Sequence, residues 1–379
     1  MNVQDLMGPL NPQGLPAPLW FLTLFKVIGF ILHLWPMHLF LAGSLIAAVL
    51  LARGGPLGRR LSARLGSTLP FAVALGVNFG IVPLLFVQVS HYRVFYPSTI
   101  LMAWPWFSIV PLLTLGYYGI YLYAWQARND RVNRLGKVGI GIAALFFAVI
   151  GFIFVNAFSL MARPEGWPAL MERTSVSGAF TGLALNLGDP TLVPRWLMGL
   201  GLALCSAAAW VAVDTAFFAT REGAEYAGYA KRLAVRLYAA GAAVVVLLGG
   251  IYVFVAMPAE SREFLLSGPR LPLFVLTAIS PGLGLLAVAW VLAGGSPRRA
   301  WVVFPAHYTV LILNVIARQM LQSHQLSDLQ ILGAEEVVTQ WSTLPLFLVL
   351  FVASVGLVVW MLRRVWVEAA LGAPPPEGS

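Results

Sequence analysis

The chain has 379 residues, of which 59% are hydrophobic and 10% are charged, and its formal net charge is +9. A soluble domain carries roughly 25% charged residues, so this composition excludes a water-soluble protein and predicts an all-α integral membrane protein in a lipid bilayer. The single cysteine excludes intrachain disulfides, cysteine-based zinc sites and covalent c-type haem attachment. The basic residues form short clusters between apolar runs, as in cytoplasmic loops, so the positive charge does not predict nucleic-acid binding.

Nine apolar runs follow one another along the chain, and each can span a bilayer as a helix of about 20 residues. The runs cover residues 19–52, 69–92, 105–127, 137–161, 194–220, 231–257, 272–293, 300–322 and 343–363. The first run exceeds what a bilayer needs, which predicts a tilted or projecting helix. We therefore predict one transmembrane bundle over residues 1–368 and a disordered tail over residues 369–379, which holds three consecutive prolines.

The connections between the runs predict the orientation of the bundle. Basic clusters follow the first, third, fifth, seventh and ninth runs, and the alternate connections are near neutral or acidic. The positive-inside rule then places the N-terminus outside and the C-terminus inside a cytoplasmic membrane of the bacterial type. Two outer connections are long: residues 162–193 have the amphipathic pattern of a helix on the outer surface, and residues 323–342 form an acidic loop.

Five histidines are the candidate axial ligands for a haem in a bundle without cysteine ligands. His33 lies in the middle of the first run, and His38 follows five residues later, about 140° around the helix. His307 lies about two turns into the eighth run, whereas His91 and His324 lie at outer helix ends. A buried histidine can also be structural, but an ionisable group inside a membrane favours function. His33 is therefore the first candidate ligand for haem iron and His307 the second.

Other polar side chains also lie at membrane depth. Arg318 and Asn314 belong to the eighth run and Gln88 to the second. An arginine there needs a carboxylate, backbone carbonyls or a haem propionate as its partner. Asp214 is the single acidic residue within the apolar runs, so a chain of buried carboxylates for proton conduction is missing. This absence counts against a proton pump.

Several short motifs follow one another in order along about 330 residues. They are His33 with an apolar stretch to Gly43, Phe86 with Gln88, Ala124-Trp125, Asn156, Pro164-Glu165-Gly166-Trp167, Asp189-Pro190, Ala230-Lys231-Arg232 and Ala317-Arg318-Gln319. In this order and spacing the chain resembles subunit I of the cytochrome bd-type oxidase superfamily. That subunit also has nine helices, and its first helix carries a haem-ligating histidine, to which His33 corresponds.

The chain also departs from that family at several functional positions. The family's other haem ligands and the glutamates of its oxygen site are replaced, and its long outer quinol-binding loop is reduced to residues 258–271. The replaced positions fall at Pro194-Arg195-Trp196, Thr277, Trp106, Thr114 and Val315. These departures predict a divergent relative that lacks the family's route for quinol oxidation.

The resemblance implies a haem b-binding membrane subunit of a respiratory-type electron-transfer complex that passes electrons to oxygen or another small oxidant. In this interpretation His33 is an axial ligand and Arg318 the partner of a propionate. His307, Asn314 and Gln88 are candidates for further ligands or for groups that line the cavity. It also implies a second membrane subunit.

Three further expectations concern partners and alternatives. A cytochrome c-type donor would dock on the outer face, where Asp328, Glu335 and Glu336 offer complementary negative charge. A cofactor-free structural or anchor subunit is the main alternative, because most of the family's haem ligands are absent. A small-molecule transporter is a weaker alternative, because the chain has no evident inverted repeat.

Overall fold

The computed structural model describes residues 2–293, 297–327 and 336–371. Within these ranges nine helices are long and apolar enough to cross a membrane. We number them α1 (Leu19–Arg53), α2 (Gly55–Ser90), α3 (Ala103–Arg128), α4 (Arg134–Ala162), α5 (Leu192–Phe217), α6 (Ala224–Ile251), α7 (Leu271–Ala293), α8 (Val303–Ser327) and α9 (Thr343–Leu371). All nine predicted runs are thus confirmed as helices.

Two helix ends differ from the sequence prediction. α2 begins at Gly55 rather than near residue 69, because the basic stretch with Arg59, Arg60 and Arg64 continues the helix beyond the apolar run. α9 continues to Leu371, so the first residues of the predicted tail are helical, and residues 372–379 lie outside the described ranges. We call the end of the bundle that carries Arg59, Arg60 and Arg64 the basic end.

The two long connections that are predicted to be on the outer side differ in their helix content from the prediction. Between residues 162 and 193 the helical parts are a 3-10 turn, Pro164–Gly166, and a short helix, Trp167–Thr174. The chain after Thr174 turns through Ser177, Gly178 and Gly182, which all have positive φ and so interrupt a helix. In the second connection α8 extends to Ser327, and residues 328–335 are outside the described ranges.

α1 and α5 form the centre of the bundle, with 67% and 61% of their most apolar windows buried. α1 contacts α2, α4, α5 and α8, and α5 contacts α6 closely. Small residues permit these approaches: a Cβ on Gly119 of α3 would collide with the carbonyl oxygen of Gly139 in α4, and one on Gly241 would lie 2.6 Å from that of Gly201. α9 lies at the periphery, with none of its apolar window buried.

Candidate functional site

His33 lies in the middle of α1 and faces α2. Its Nδ1 atom is 2.7 Å from the carbonyl oxygen of Gly76. A carbonyl oxygen can only accept, so Nδ1 carries the proton and the lone pair is on Nε2. Gly80 permits this placement, because a Cβ there would lie 2.8 Å from the imidazole ring. A backbone carbonyl that fixes the tautomer is the usual support of a metal-binding histidine, and in the described part of the chain Nε2 has no hydrogen bond.

Two cations lie along the same side of the bundle as His33. Lys26, Phe30 and His33 share one face of α1, and seven residues of helix separate Lys26 from His33 by about 10.5 Å. Lys26 is only 6% exposed, and its Nζ donates to Oε1 of Gln322 in α8 over 3.3 Å. The guanidinium of Arg318 lies 4.6 Å from the ring centre of Phe30. Phe30 therefore connects these groups into one region, because its ring centre also lies 6.2 Å from that of His33 and Lys26 precedes it by about one turn of α1.

This region lacks negative charge to balance its cations. Arg318 is held between the rings of Phe30 and Phe158, the second at 4.9 Å, and no described carboxylate is within ion-pair distance of Arg318 or Lys26. Asp189, in the connection before α5, is instead paired with Arg163 at 3.3 Å. Two cations without carboxylates inside a membrane fit an anionic group that the described part of the chain does not supply.

His91 follows the last residue of α2 and is only 2% exposed. Its Nδ1 is 2.6 Å from Oγ of Ser90, and its buried Nε2 has no hydrogen-bond partner in the described ranges. Burial, and next the charge of Lys26, hold the pKa of His91 well below its usual value of 6.5. His91 is therefore a neutral imidazole with one unused nitrogen, near Lys26.

His307 belongs to a separate, fully buried network of hydrogen bonds. Its Nε2 is 2.7 Å from Oγ of Ser206 in α5, and its Nδ1 is 3.0 Å from the hydroxyl of Tyr238 in α6. Ser206 is also 2.9 Å from Nδ1 of His38 in α1. Because both nitrogens of His307 are engaged, this residue would have to give up a partner to bind iron.

The hydrogen bonds of the two remaining predicted residues, Asn314 and Gln88, involve groups other than His33. Asn314 donates to the carbonyl oxygen of Val310 in its own helix over 2.9 Å. Gln88 accepts a 3.3 Å hydrogen bond from the hydroxyl of Tyr96. Of the five candidates, the structure thus places His33 and Arg318 beside Phe30. Asn314 lies about one helical turn before Arg318 in α8, and His307 belongs to the network of Ser206 and Tyr238.

Sequence reasoning missed Lys26 as a cation near His33, and it missed Ser206 and Tyr238 as the hydrogen-bond partners of His307. A signal for Lys26 was available, because a lysine within a long apolar run is an intramembrane ionisable group and by default a functional candidate. No comparable signal marks Ser206 or Tyr238, since serine and tyrosine are common in membrane helices. Their roles depend on which helices become neighbours.

Replacing Ser206 by alanine tests whether the buried network supports the fold. The change leaves one nitrogen of His38 and one of His307 without their shared partner, so we expect a loss of about 1 to 3 kcal/mol in the free energy of unfolding. Unfolding in mixed detergent micelles measures it. The control is Ser44→Ala, because the buried Ser44 hydroxyl bonds only the carbonyl of Leu41 in its own helix. Equal effects of the two changes would contradict a bridging role for Ser206.

Comparisons with known proteins add one finding to this geometry. No protein-family model matches the chain, and no curated protein matches it. Among solved structures, the chain is similar to a chain in the structure of bd oxidase from Geobacillus thermodenitrificans, with 13% identity and a TM-score of 0.62. The likeness covers 95% of this chain and 99% of that chain.

The fold and the comparison together define the class of protein. The chain is an all-α, multi-pass membrane protein. More specifically, its fold is that of a bd-type oxidase chain, which confirms at the level of fold the resemblance stated from the motifs. At 13% identity the comparison does not carry the function of the solved oxidase to this chain.

Proposed function

We propose that the chain is a haem b-binding membrane subunit of a respiratory-type electron-transfer complex, which passes electrons to oxygen or another small oxidant. The observation that supports this proposal best is the environment of His33. Its Nδ1 is fixed by the Gly76 carbonyl, its Nε2 is unpartnered in the described ranges, and Arg318 and Lys26 lie nearby without carboxylates. One imidazole and two cations are a donor set that suits a haem with its two propionates.

Each residue would act on the cofactor in a definite way. Nε2 of His33 would bind the haem iron, with the Gly76 carbonyl holding the ring in the required tautomer. Arg318 and Lys26 would hold the propionates, and Phe30 and Phe158 would keep the guanidinium in place and exclude water. The bound haem would supply one-electron redox chemistry and would bind a small oxidant. His307 would support the bundle rather than the iron.

The optical spectrum of the purified chain, reduced minus oxidised, tests this function directly. We expect the bands of a b-type haem, at about one haem per chain, and a change of the reduced spectrum on addition of carbon monoxide. The expression host must make haem in excess. A colourless protein under these conditions would refute the haem proposal. A haem that does not respond to carbon monoxide would refute the binding of a small ligand to the iron.

A cofactor-free structural or anchor subunit is the second candidate function. It is favoured by the network of His38, Ser206, His307 and Tyr238. In this network both ring nitrogens of His307 have hydrogen-bond partners from the protein. In that case His33 would be a structural link between α1 and α2, and Arg318 would be held by its two aromatic contacts alone. The colourless result above would leave this candidate in place.

The proposed complex includes a second membrane subunit. α9 exposes a largely apolar surface, with Val349 65% and Val352 68% exposed, and such a surface requires lipid or another membrane helix. Chemical cross-linking in the native membrane from a photoreactive residue at Val352 would identify the neighbour. Cross-links to lipid alone at this position would argue against a subunit at α9.

We further propose that the N-terminus is outside, the C-terminus inside, and the membrane a bacterial-type cytoplasmic one. The basic end supports this orientation through the positive-inside rule. In a Cys205→Ser background, a cysteine introduced at Arg59 should be labelled by a membrane-impermeant thiol reagent only after the cells are opened. Labelling in intact cells would reverse the orientation.

A cytochrome c-type donor is the electron source we propose for the outer face. Glu336 is exposed, and its backbone carbonyl accepts a 2.9 Å hydrogen bond from Leu15. Asp328 and Glu335 lie outside the described residues. Replacing Asp328, Glu335 and Glu336 together by the neutral amides should slow reduction by a basic cytochrome c, most strongly at low salt. An unchanged rate would refute docking at this loop.

A further inference from the structure

A cleft of about 680 Å³ opens at the basic end of the bundle. It lies between the ends of α1 and α2 on one side and the turn that joins α3 to α4 on the other. Its volume is within the usual range of small-molecule sites, roughly 300 to 1,000 Å³. Its apolar lining includes Leu51, Ala63 and Val132, and its charged lining consists of Arg53, Arg59, Arg60, Lys137 and Asp130. Four cations therefore face one carboxylate.

The cations at this end of the bundle fall into two groups. Arg60 donates to Glu222 over 2.6 Å, and Arg64 donates to Asp214 over 2.7 and 2.9 Å. The side chains of Arg53, Arg59 and Lys137 have no ion pair or hydrogen bond within the described part of the chain. The positive-inside rule explains why basic residues lie at this end of the bundle. It does not explain why the three exposed cations around the cleft lack acidic partners while Arg60 and Arg64 have them.

Hydrogen bonds connect the helices at the floor of the cleft. Tyr123 of α3 lines it and is fully buried, and its hydroxyl is 2.6 Å from Oγ of Ser62 in α2. Ser62 in turn donates to the carbonyl oxygen of Ala47 in α1 over 2.7 Å. Because these bonds tie three helices together beneath the cleft, its shape is preformed rather than created by a ligand.

We propose that this cleft binds a phosphate compound carrying two or more negative charges in total, either the headgroup of an anionic phospholipid or a free di- or polyphosphate. Arg53 and Arg59 offer planar guanidinium groups that bind phosphate oxygens in pairs, and Lys137 offers a point charge from the opposite wall. Basic pockets between transmembrane helices on the cytoplasmic side bind such headgroups in other membrane proteins. The site is independent of the haem proposal, because its residues lie at the opposite end of α1 from Lys26.

The test compares two triple variants of the full-length chain. The cleft variant is Arg53→Gln, Arg59→Gln and Lys137→Gln. The control variant is Arg232→Gln, Arg236→Gln and Arg363→Gln, which removes the same charge from exposed positions outside the cleft. Binding to each protein is measured by native mass spectrometry and by the thermal unfolding midpoint. The ligands are diphosphatidylglycerol in mixed micelles, phosphatidylcholine as the uncharged reference, and inorganic pyrophosphate.

We expect the wild type and the control variant to bind one of the two anionic ligands with similar affinity, and the cleft variant to bind it about tenfold more weakly. Stabilisation by diphosphatidylglycerol alone would identify a lipid headgroup as the source, and stabilisation by pyrophosphate would identify a free phosphate compound. Equal weakening in both variants would show diffuse surface charge and overturn the proposal, as would the absence of binding to the wild type. Each variant is first shown to be monodisperse by size-exclusion chromatography.

Discussion

Replacing His33 by alanine is expected to reduce the haem content of the purified chain from about one per chain to near zero. The imidazole is the one described group that combines a free ring nitrogen with the Gly76 hydrogen bond that orients it towards a ligand. Without it, Arg318 and Lys26 can still attract propionates, but the bond from the Gly76-oriented imidazole to iron is lost. The measurement is the haem-to-protein ratio, together with the reduced-minus-oxidised spectrum.

His324→Ala is the matched control for this experiment. His324 is near the end of α8, and its ring stacks on Phe264 at 3.8 Å, away from the His33 region. We expect that variant to keep its haem. A His33→Gly variant supplemented with free imidazole should recover part of the spectrum, because the small molecule can fill the space of the lost side chain. Full haem content in His33→Ala would show that another residue binds the iron.

Replacing Asp214 by asparagine is expected to lower the free energy of unfolding by about 2 to 4 kcal/mol. The carboxylate accepts two hydrogen bonds from Arg64, over 2.7 and 2.9 Å, and so joins α5 to α2 at the basic end. Its side chain is 11% exposed and that of Arg64 is 25% exposed. The substitution therefore leaves the Arg64 guanidinium without its partner and with little contact with water. Partial exposure of Arg64 and its second contact with Glu222, at 3.4 Å, keep the loss below that of a fully buried pair.

Unfolding in mixed micelles of increasing denaturing detergent measures this loss. The control is Glu260→Gln, because Glu260 is exposed and forms no ion pair in the described part of the chain. We expect the midpoint of that variant to stay within experimental error of the wild type. If Asp214→Asn and Glu260→Gln unfold at the same point, the Arg64–Asp214 pair does not stabilise the bundle.

The sequence by itself determined the membrane class and the nine helices. An apolar run of some 20 residues must satisfy all its backbone groups internally in lipid, so its helical structure needs no tertiary information. The same local physics located His33 at mid-membrane and showed that His38 faces another way. It failed at the ends of helices, as at Gly55, where polar residues extend a helix beyond the apolar run.

Only the tertiary structure decided which polar residues belong together. Helical periodicity fixes the face on which a side chain lies, but not the neighbouring helix that the face meets. His33 therefore meets the Gly76 carbonyl of α2, while His307 meets Ser206 and Tyr238 from α5 and α6. The sequence grouped these two histidines by residue type. Packing of the helices separated them, because each buried imidazole must find its hydrogen-bond partners on whichever helix lies beside it.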